Sequence, residues 1–343
     1  IYTLSLHDAL PISAPGVMDG YRVEGDEVHE VAVGPVHAGV IEPGHFRFQC
    51  HGEHVFHLEI ALGYQHRGVE RALVGGPTKR TIPYMETLSG DTTIGHTLAY
   101  CQNIEALSGT RAPSRAHALR GIALELERVA NHVGGLGALA NDVAFLPTAS
   151  FCGRLRGDFL NLTAAICGNR FGRGIVRPGG VGFDIDDARA QEMRTRVADA
   201  FRDVRDSVEL LWNSASVQAR FEGTGVVPTD VADAFGLVGV TARACGLERD
   251  ARHDHPTGVY RLAHIPVSVW QTGDVFSRAY VRWLEIQRSV RFIDEQLEAL
   301  PRTSVRNDVS PLAPNKICVS LVEGWRGEIC HVAMTDEGGK LAT

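Results

Sequence analysis

The spacing of apolar and polar residues divides the chain into a strand-rich start, a helical middle and a strand-rich end. Residues 21–61 alternate between apolar and polar positions around a turn at residues 51–53, "HGE". This period of two predicts half-buried β-strands. Residues 114–133 instead carry an apolar stripe at helical spacing, which predicts a helix with Ser114 as its N-cap. The stripe consists of Leu119, Ile122, Leu126, Val129 and Val133.

Other segments extend this pattern in both directions. Helical spacing holds from residue 63 to residue 107, interrupted by the loop "VGGPTKRTIP". Further long helices are predicted over "FLNLTAAICG", "DARAQEMRTRVADAFRDVRDSVELLWNS" and "DVFSRAYVRWLEIQRSVRFIDEQLEAL", and residues 315–334 return to strand character. We therefore expect an α+β protein that is mostly α, with a long-helix bundle core, an N-terminal antiparallel β region and a C-terminal strand region.

The same pattern gives the expected domain boundaries. The β region covers residues 14–62, the helical core domain residues 63–300, and the C-terminal strand region residues 301–343. Residues 1–13, "IYTLSLHDALPIS", resemble a translated sequencing adapter and lack the basic start of a signal peptide, so we treat them as a non-native tail. The strand region stops abruptly after "TDEGGKLAT", and we expect the natural protein to continue.

Composition and charge narrow the class of protein. The 343 residues are 44% hydrophobic and 22% charged, as in soluble globular proteins. A net charge of −7 and a pI near 6.1 argue against a nucleic-acid partner. No run approaches the ~18 apolar residues of a membrane-spanning helix, so we expect membrane association only through partner subunits.

Cysteine and histidine usage bears on metal and cofactor binding. The seven cysteines are scattered without a CxxC pair, which favours a reducing compartment and argues against an iron–sulfur cluster within this chain. The 15 histidines include no HExxH pattern. No GxGxxG follows a strand and "GGPTKRT" lacks Walker spacing, so direct binding of a dinucleotide or ATP is not predicted.

Two polar stretches have both a structural and a functional interpretation. "GYQHRGVE" (63–70) places Glu70 within one helical turn of two other polar side chains, which is typical of either a solvated helix start or a site. "NRFGRGIVRPGGVGFD" (169–184) spaces Arg170, Arg173 and Arg177 among glycines. Because glycine allows close backbone approach, this segment is either a loop packed on a helix end or a cationic wall of an active site.

A series of stretches in consistent order between residues 31 and 343 points to one family. They are "GPVHAGVIEPGHFRF", "GYQHRGVE", "GHTLAYCQNIEAL", "APSRAHALRGIALELERVANHVGGLG", "NRFGRGIVRPGGVGFD", "GDVFSRAYVRWLEIQRSVRFIDEQL" and "EGWRGEICHVAMTDEGGK". Together they resemble the catalytic large subunit of membrane-bound NiFe hydrogenases of the formate-hydrogenlyase type and the homologous quinone-site subunit of respiratory complex I. "EPGHFRF", "HRGVE" and "EGWRGE" favour the hydrogenase-type branch.

The chain departs from this resemblance at residues 89–96, "SGDTTIGH". The hydrogenase family carries CGxC here, followed by three residues and a histidine, and both thiolates hold the nickel–iron centre. Ser89 and Thr92 replace the two cysteines, whereas His96 remains. A hydroxyl is a weaker acid and a harder ligand than a thiol, so we expect no NiFe centre and no metal ligand in this chain.

The resemblance also implies roles for individual residues. Glu70 matches a glutamate through which such hydrogenases pass protons, and Asp91 adds a second carboxylate whose proximity would raise one of the two pKa values. His45 corresponds to the β-hairpin histidine of the complex I branch, whereas Gly90 stands where that branch has a quinone-binding tyrosine. The expected catalytic residues are Glu70, Asp91, His96, Arg173 and Arg177. The positions equivalent to quinone or NiFe contacts are His45, Ser89 and Thr92.

The function expected from these features is that of an oxidoreductase component on the cytoplasmic side of a membrane complex. A small iron–sulfur subunit would supply electrons, and antiporter-like subunits would provide the membrane part. A quinone-like or unknown acceptor would receive the electrons with coupled proton movement, and NAD would bind only elsewhere in the complex. Two alternatives remain open: a catalytically silent scaffold, and a NiFe hydrogenase with unusual ligands.

Overall fold

The computed structural model of the chain describes residues 21–37 and 43–343. Chain contacts separate it into two units, Ile1–Val69 and Glu70–Thr343. The structure confirms a mostly helical α+β protein with small antiparallel sheets. The predicted tail at residues 1–13 lies outside the described residues.

The first unit contains a three-stranded antiparallel sheet in the order β1 (Val28–Val33), β2 (His45–His51) and β3 (His54–Ala61). Its central strand carries a buried arginine, Arg47, whose Nε lies 3.5 Å from Glu30 on β1 and 3.2 Å from Glu59 on β3. A cation between carboxylates of the two neighbouring strands favours a single register. The alternation predicted for residues 21–61 is thus confirmed as strands.

The second unit is built on long helices with two small hairpins. Its helices are α1 (Val69–Leu73, which begins at the unit boundary), α2 (Thr81–Met85), α3 (Thr93–Ser108), α4 (Ser114–Asp142), α5 (Leu146–Cys167), α6 (Asp187–Trp212), α7 (Ala215–Phe221), α8 (Thr229–Ala234), α9 (Gly239–Ala244), α10 (Ala251–Asp254) and α11 (Val275–Glu298), with a 3-10 helix at Gly258–Arg261. The hairpins pair β4 (Val176–Arg177) with β5 (Gly180–Val181), and β6 (Ile317–Glu323) with β7 (Glu328–Met334).

Helix α4 is the centre of this unit, and the apolar stripe predicted for it is completely buried. It packs against α5 on one side and α11 on another. The helix continues past residue 133, and Gly134 and Gly135 leave room there for neighbouring side chains. A Cβ at Gly134 would lie 2.9 Å from the side chain of Arg156, and one at Gly135 would lie 3.1 Å from that of Arg282.

The predicted N-cap of α4 is wrong by one residue. Pro113, with φ −67° and ψ 159°, is the N-cap, and Ser114 is the first helical residue. The Ser114 hydroxyl lies 3.2 Å from the hydroxyl of Thr303. The extended backbone of proline already sets the entry of the chain into the helix, so the serine is available for this tertiary contact.

A buried ionic cluster joins α4, α11 and β6, and we refer to it as the charge cluster. Its members are Glu125, Arg128, Arg243, Asp250, Arg252, Glu285 and Glu323, all buried. Arg252 donates to Glu285 at 2.8 Å and to Asp250 at 2.6 Å. Arg128 donates to Glu285 and to the backbone carbonyls of Glu323 and Gly324. The cluster therefore fixes the end of β6 and the turn that follows it on the two central helices.

Within the described residues, no helix combines the length and apolar character required to cross a bilayer.

Breaking the charge cluster should destabilise the fold strongly. Glu285→Gln leaves the shape of the side chain but removes the charge that faces Arg128, Arg243 and Arg252. Since a buried charge without its partner costs about 3–5 kcal/mol, the free energy of unfolding should fall by that order in urea titrations.

Glu295→Gln is the matched control, because Glu295 pairs with Arg291 on the exposed face of the same helix. It should change the free energy of unfolding by less than ~1 kcal/mol. Equal effects of the two substitutions would contradict the importance of the cluster.

Candidate functional site

Asp91 is the centre of a polar constellation at the start of α3. Its Oδ1 accepts hydrogen bonds of 2.9 Å from the Ser89 hydroxyl and of 2.9 Å from the Thr92 hydroxyl. Its backbone carbonyl accepts a 2.9 Å hydrogen bond from the side-chain amide of Asn131 on α4. Both hydroxyls therefore point at the carboxylate as donors.

Arg326, in the turn between β6 and β7, completes this arrangement. Its Nη1 donates to Oδ1 of Asp91 at 2.8 Å and its Nη2 to Oδ2 at 2.9 Å. This two-pronged geometry is the strong form of an arginine–carboxylate pair. The guanidinium also lies 4.1 Å from the centre of the Trp325 ring, which restricts its orientation further. We call Ser89, Asp91, Thr92 and Arg326 the Asp91 clamp.

The clamp keeps Asp91 ionised. Burial raises the pKa of this carboxyl, but the hydrogen bonds and charge of Arg326 and the two hydroxyl donors together lower it further than burial raises it. The pKa of Asp91 consequently lies below its ordinary value, and the group is a carboxylate at neutral pH.

A second carboxyl, Glu127 of α4, lies beneath the first turn of α3. Its oxygens accept hydrogen bonds from the backbone N–H groups of Ile94 at 2.7 Å and Gly95 at 3.1 Å. Burial raises the pKa of Glu127 to about 8, the charge of Asp91 adds to the increase, and the two backbone donors oppose it. The site thus contains two carboxyl groups whose environments shift their pKa values in opposite directions, as in sites that handle protons.

A pair of imidazoles stands one turn further along α3. Nδ1 of His96 lies 3.1 Å from Nε2 of His331 on β7. Burial lowers the pKa of both rings, and the nearby His96 contributes to lowering that of His331 to about 4. Both rings are therefore neutral at pH 7, as required for one ring N–H to donate to the other ring's nitrogen.

The arginine-rich segment after α5 is divided between a cavity and the surface. Arg170 lines a cavity of about 10 Å³ that Asp91, Glu127 and Arg156 also line. Arg173 is exposed. Arg177 lies on β4 with its Nη1 at 3.9 Å from Glu86, which accepts a 2.7 Å hydrogen bond from the backbone N–H of Gly174.

Comparison with known proteins gives the family of the chain. Residues 142–341 match the family described as respiratory-chain NADH dehydrogenase, 49 Kd subunit. An NADH-quinone oxidoreductase subunit of Clostridium beijerinckii is 30% identical over 84% of this chain and 79% of its own length. The chain belongs to the NADH dehydrogenase 49 Kd subunit family.

Hydrogenase subunits are also among the relatives of this 49 Kd family member. Formate hydrogenlyase subunit 5 of Escherichia coli is 29% identical over 92% of this chain and 56% of its own length. Membrane-bound hydrogenase subunit alpha of Pyrococcus furiosus is 27% identical over 90% of this chain and 76% of its own length. The predicted relation to both hydrogenase and complex I subunits is confirmed, and family members of both kinds are oxidoreductase subunits.

The structure brings some of the predicted site residues together and leaves others apart. Ser89, Asp91 and Thr92 share hydrogen bonds, and the charge of Asp91 acts on His96. Glu70 is exposed on α1, and His45 is a buried residue of β2 in the first unit. The roles assigned to these residues, and to Arg173 and Arg177, stay predictions.

Sequence reasoning missed several residues of the site. Glu127, Asn131, Arg326 and His331 come from α4 and the β6–β7 hairpin, far along the chain from residues 89–96. The stretch "EGWRGEICH" belongs to the family resemblance, but its spacing gives no role to Arg326 or His331. Glu127 is polar within "LELER", which by periodicity alone resembles a solvated position beside the apolar stripe.

The residues of the clamp do not fit a NiFe centre. Ser89 and Thr92 offer hydroxyls, both engaged as donors to Asp91, where thiolates would be needed. Across residues 21–37 and 43–343, no three or more His, Cys, Asp or Glu side chains are grouped to hold a metal ion.

Removing the arginine from the clamp should raise the pKa of Asp91. In Arg326→Gln the hydrogen bonds and charge that lower this pKa are lost, while burial remains. A ¹³C NMR titration of the Asp91 carboxyl should show a midpoint at higher pH than in the wild type.

Arg302→Gln, which alters an exposed arginine 3.7 Å from Asp187, serves as the control and should leave the titration unchanged. Because a lowered carboxyl pKa stabilises the fold above the unfolded-state pKa and this contribution is lost as pH falls, the wild type should also lose more stability on acidification than Arg326→Gln. An unchanged Asp91 midpoint in Arg326→Gln would contradict the clamp.

Proposed function

We propose that this chain is a subunit of a membrane-associated oxidoreductase complex and that its Asp91 clamp couples electron transfer to proton movement without a NiFe centre. The observation that carries the proposal is the clamp itself, an ionised carboxylate held by two hydroxyls and an arginine. Its position in the sequence is that of the paired cysteines in hydrogenase large subunits.

The chemistry of the clamp suits charge control and not thiolate ligation. A thiol has a pKa near ~8.5 and loses its proton to a bound metal, whereas a hydroxyl is a far weaker acid. The carboxylate of Asp91, already paired with Arg326, is a hard oxygen donor and not a substitute for soft sulfur. On this basis the site binds no nickel, and its residues instead stabilise charge that changes during electron transfer.

Electrons would reach this site from another subunit. The dispersed cysteines of this chain are mostly buried and unpaired among the described residues, so an iron–sulfur cluster would have to lie in a partner. The relatives include NADH-quinone oxidoreductase and membrane-bound hydrogenase subunits. We therefore propose a small iron–sulfur subunit as the electron donor, antiporter-like subunits as the membrane part, and peripheral attachment at the cytoplasmic face.

The acceptor in this proposal is quinone-like. Complex I relatives are named for quinone reduction, and His45 supplies one of the two polar anchors that the resemblance implies for a quinone head group. Gly90 offers no side chain at the position of the other anchor. Quinone binding would therefore depend more on apolar contacts than on a second hydrogen-bonding side chain.

Neutralising Asp91 should stop the coupled reaction while leaving the complex assembled. In Asp91→Asn the side chain keeps its size but loses the charge paired with Arg326. Groups that handle protons typically contribute 10²–10⁴-fold to rate, so electron transfer from the reduced iron–sulfur partner to quinone should slow by about 100-fold or more in the purified complex.

The control is Asp158→Asn on α5, which removes a carboxylate from an exposed pair with Arg154 and should not change the rate. An assembled Asp91→Asn complex with wild-type turnover would refute the proposal and would favour a structural role for this chain.

A further inference from the structure

The cavity beneath α3 contains a carboxyl that the clamp does not use. Glu127 and Asp91 both line this cavity, together with Asn131, Arg156 and Arg170. We propose that Glu127 is the proton-binding group of the site and that it takes up and releases one proton through the cavity it shares with Asp91. This inference rests on the proposed function and names the group that carries its proton.

The ionised form of Glu127 has a prepared place. Each carboxylate oxygen accepts one backbone N–H from the first turn of α3, from Ile94 at 2.7 Å and from Gly95 at 3.1 Å. The N-terminus of this 16-residue helix also favours negative charge through its dipole. The carboxylate is thus stabilised even though its side chain is buried.

The protonated form is favoured by the surroundings of the same group. Glu127 is buried, and the ionised Asp91 of the clamp repels a second negative charge. The groups that face the cavity are Asp91 from the segment before α3, Asn131 from α4, Arg156 and Thr163 from α5, and Arg170 from the following loop, with Arg128 the charged neighbour on α4 itself. Opposing influences of this kind bring both protonation states within reach near neutral pH.

The cavity provides a route for the proton. At about 10 Å³ it has room for about one water molecule. A proton entering this way converts the Glu127 carboxylate to a carboxylic acid, and its departure restores the carboxylate, with no other bond formed or broken. Because Asp91 and Glu127 influence each other's charge, any step that withdraws negative charge from the clamp weakens proton binding at Glu127, and the effect is reciprocal.

Infrared titration of the purified full chain tests this assignment without requiring turnover. A C=O stretching band of a buried carboxylic acid should be present at pH 6 and should disappear as pH rises through about 8. The band should be absent in Glu127→Gln. It should persist in Glu105→Gln, which removes another buried carboxyl, paired with Arg120 outside the cavity.

A second variant keeps the test decisive if Glu127→Gln does not fold. Asp91→Asn removes the neighbouring negative charge, so the midpoint of the band should move to lower pH. A band that survives in folded Glu127→Gln, or that does not respond to Asp91→Asn, overturns the inference. If the band behaves as expected while electron transfer in Asp91→Asn complexes is normal, the proposed function fails and Glu127 is still shown to bind the proton.

Discussion

The paired hydrogen bonds between Arg326 and Asp91 are the interaction on which the candidate site depends. They join the turn of the β6–β7 hairpin to the segment before α3, two parts of the chain 235 residues apart. The turn is itself held from below, because buried Arg128 donates to the carbonyls of Glu323 and Gly324 and is paired with Glu285 of α11. The charge cluster therefore positions the clamp, and the clamp sets the charge of the site.

This dependence explains why the two carboxyl groups of the site behave differently. Asp91 is only partly buried and faces an arginine, so its pKa falls. Glu127 is deeply buried, faces backbone donors and the charge of Asp91, and its pKa rises to about 8. The difference comes from which element supplies the partner: the hairpin turn reaches Asp91, whereas the helix start reaches Glu127. A site with one fixed charge and one exchangeable proton follows from this arrangement.

The sequence predicted what depends on local periodicity and composition. The strands of residues 21–61, the long helices and the terminal hairpin follow from apolar spacing, and the family follows from the order of the motifs. The replacement of two cysteines by Ser89 and Thr92 was also visible in the sequence. The hydroxyl–carboxylate contacts within "SGDT" require only neighbouring residues, although their geometry became clear only in the structure.

Partners that meet through tertiary packing could not be predicted. Arg326, Glu127 and His331 reach the site from the β6–β7 hairpin and α4, and no spacing rule relates them to residues 89–96. The buried charges of Arg128, Arg243 and Arg252 are likewise hidden in a sequence where arginine usually marks a surface. The N-cap of α4 was displaced by a single residue because proline, and not the serine after it, sets the helix entry.

The central claim is that oxygen atoms held by an arginine have replaced the thiolates of a metal site. The most direct test is the nickel content of the purified complex, measured by inductively coupled plasma mass spectrometry per copy of this chain. The account predicts nickel far below one atom per chain, in wild-type and Arg326→Gln complexes alike. Nickel approaching one atom per chain in the wild type would contradict it.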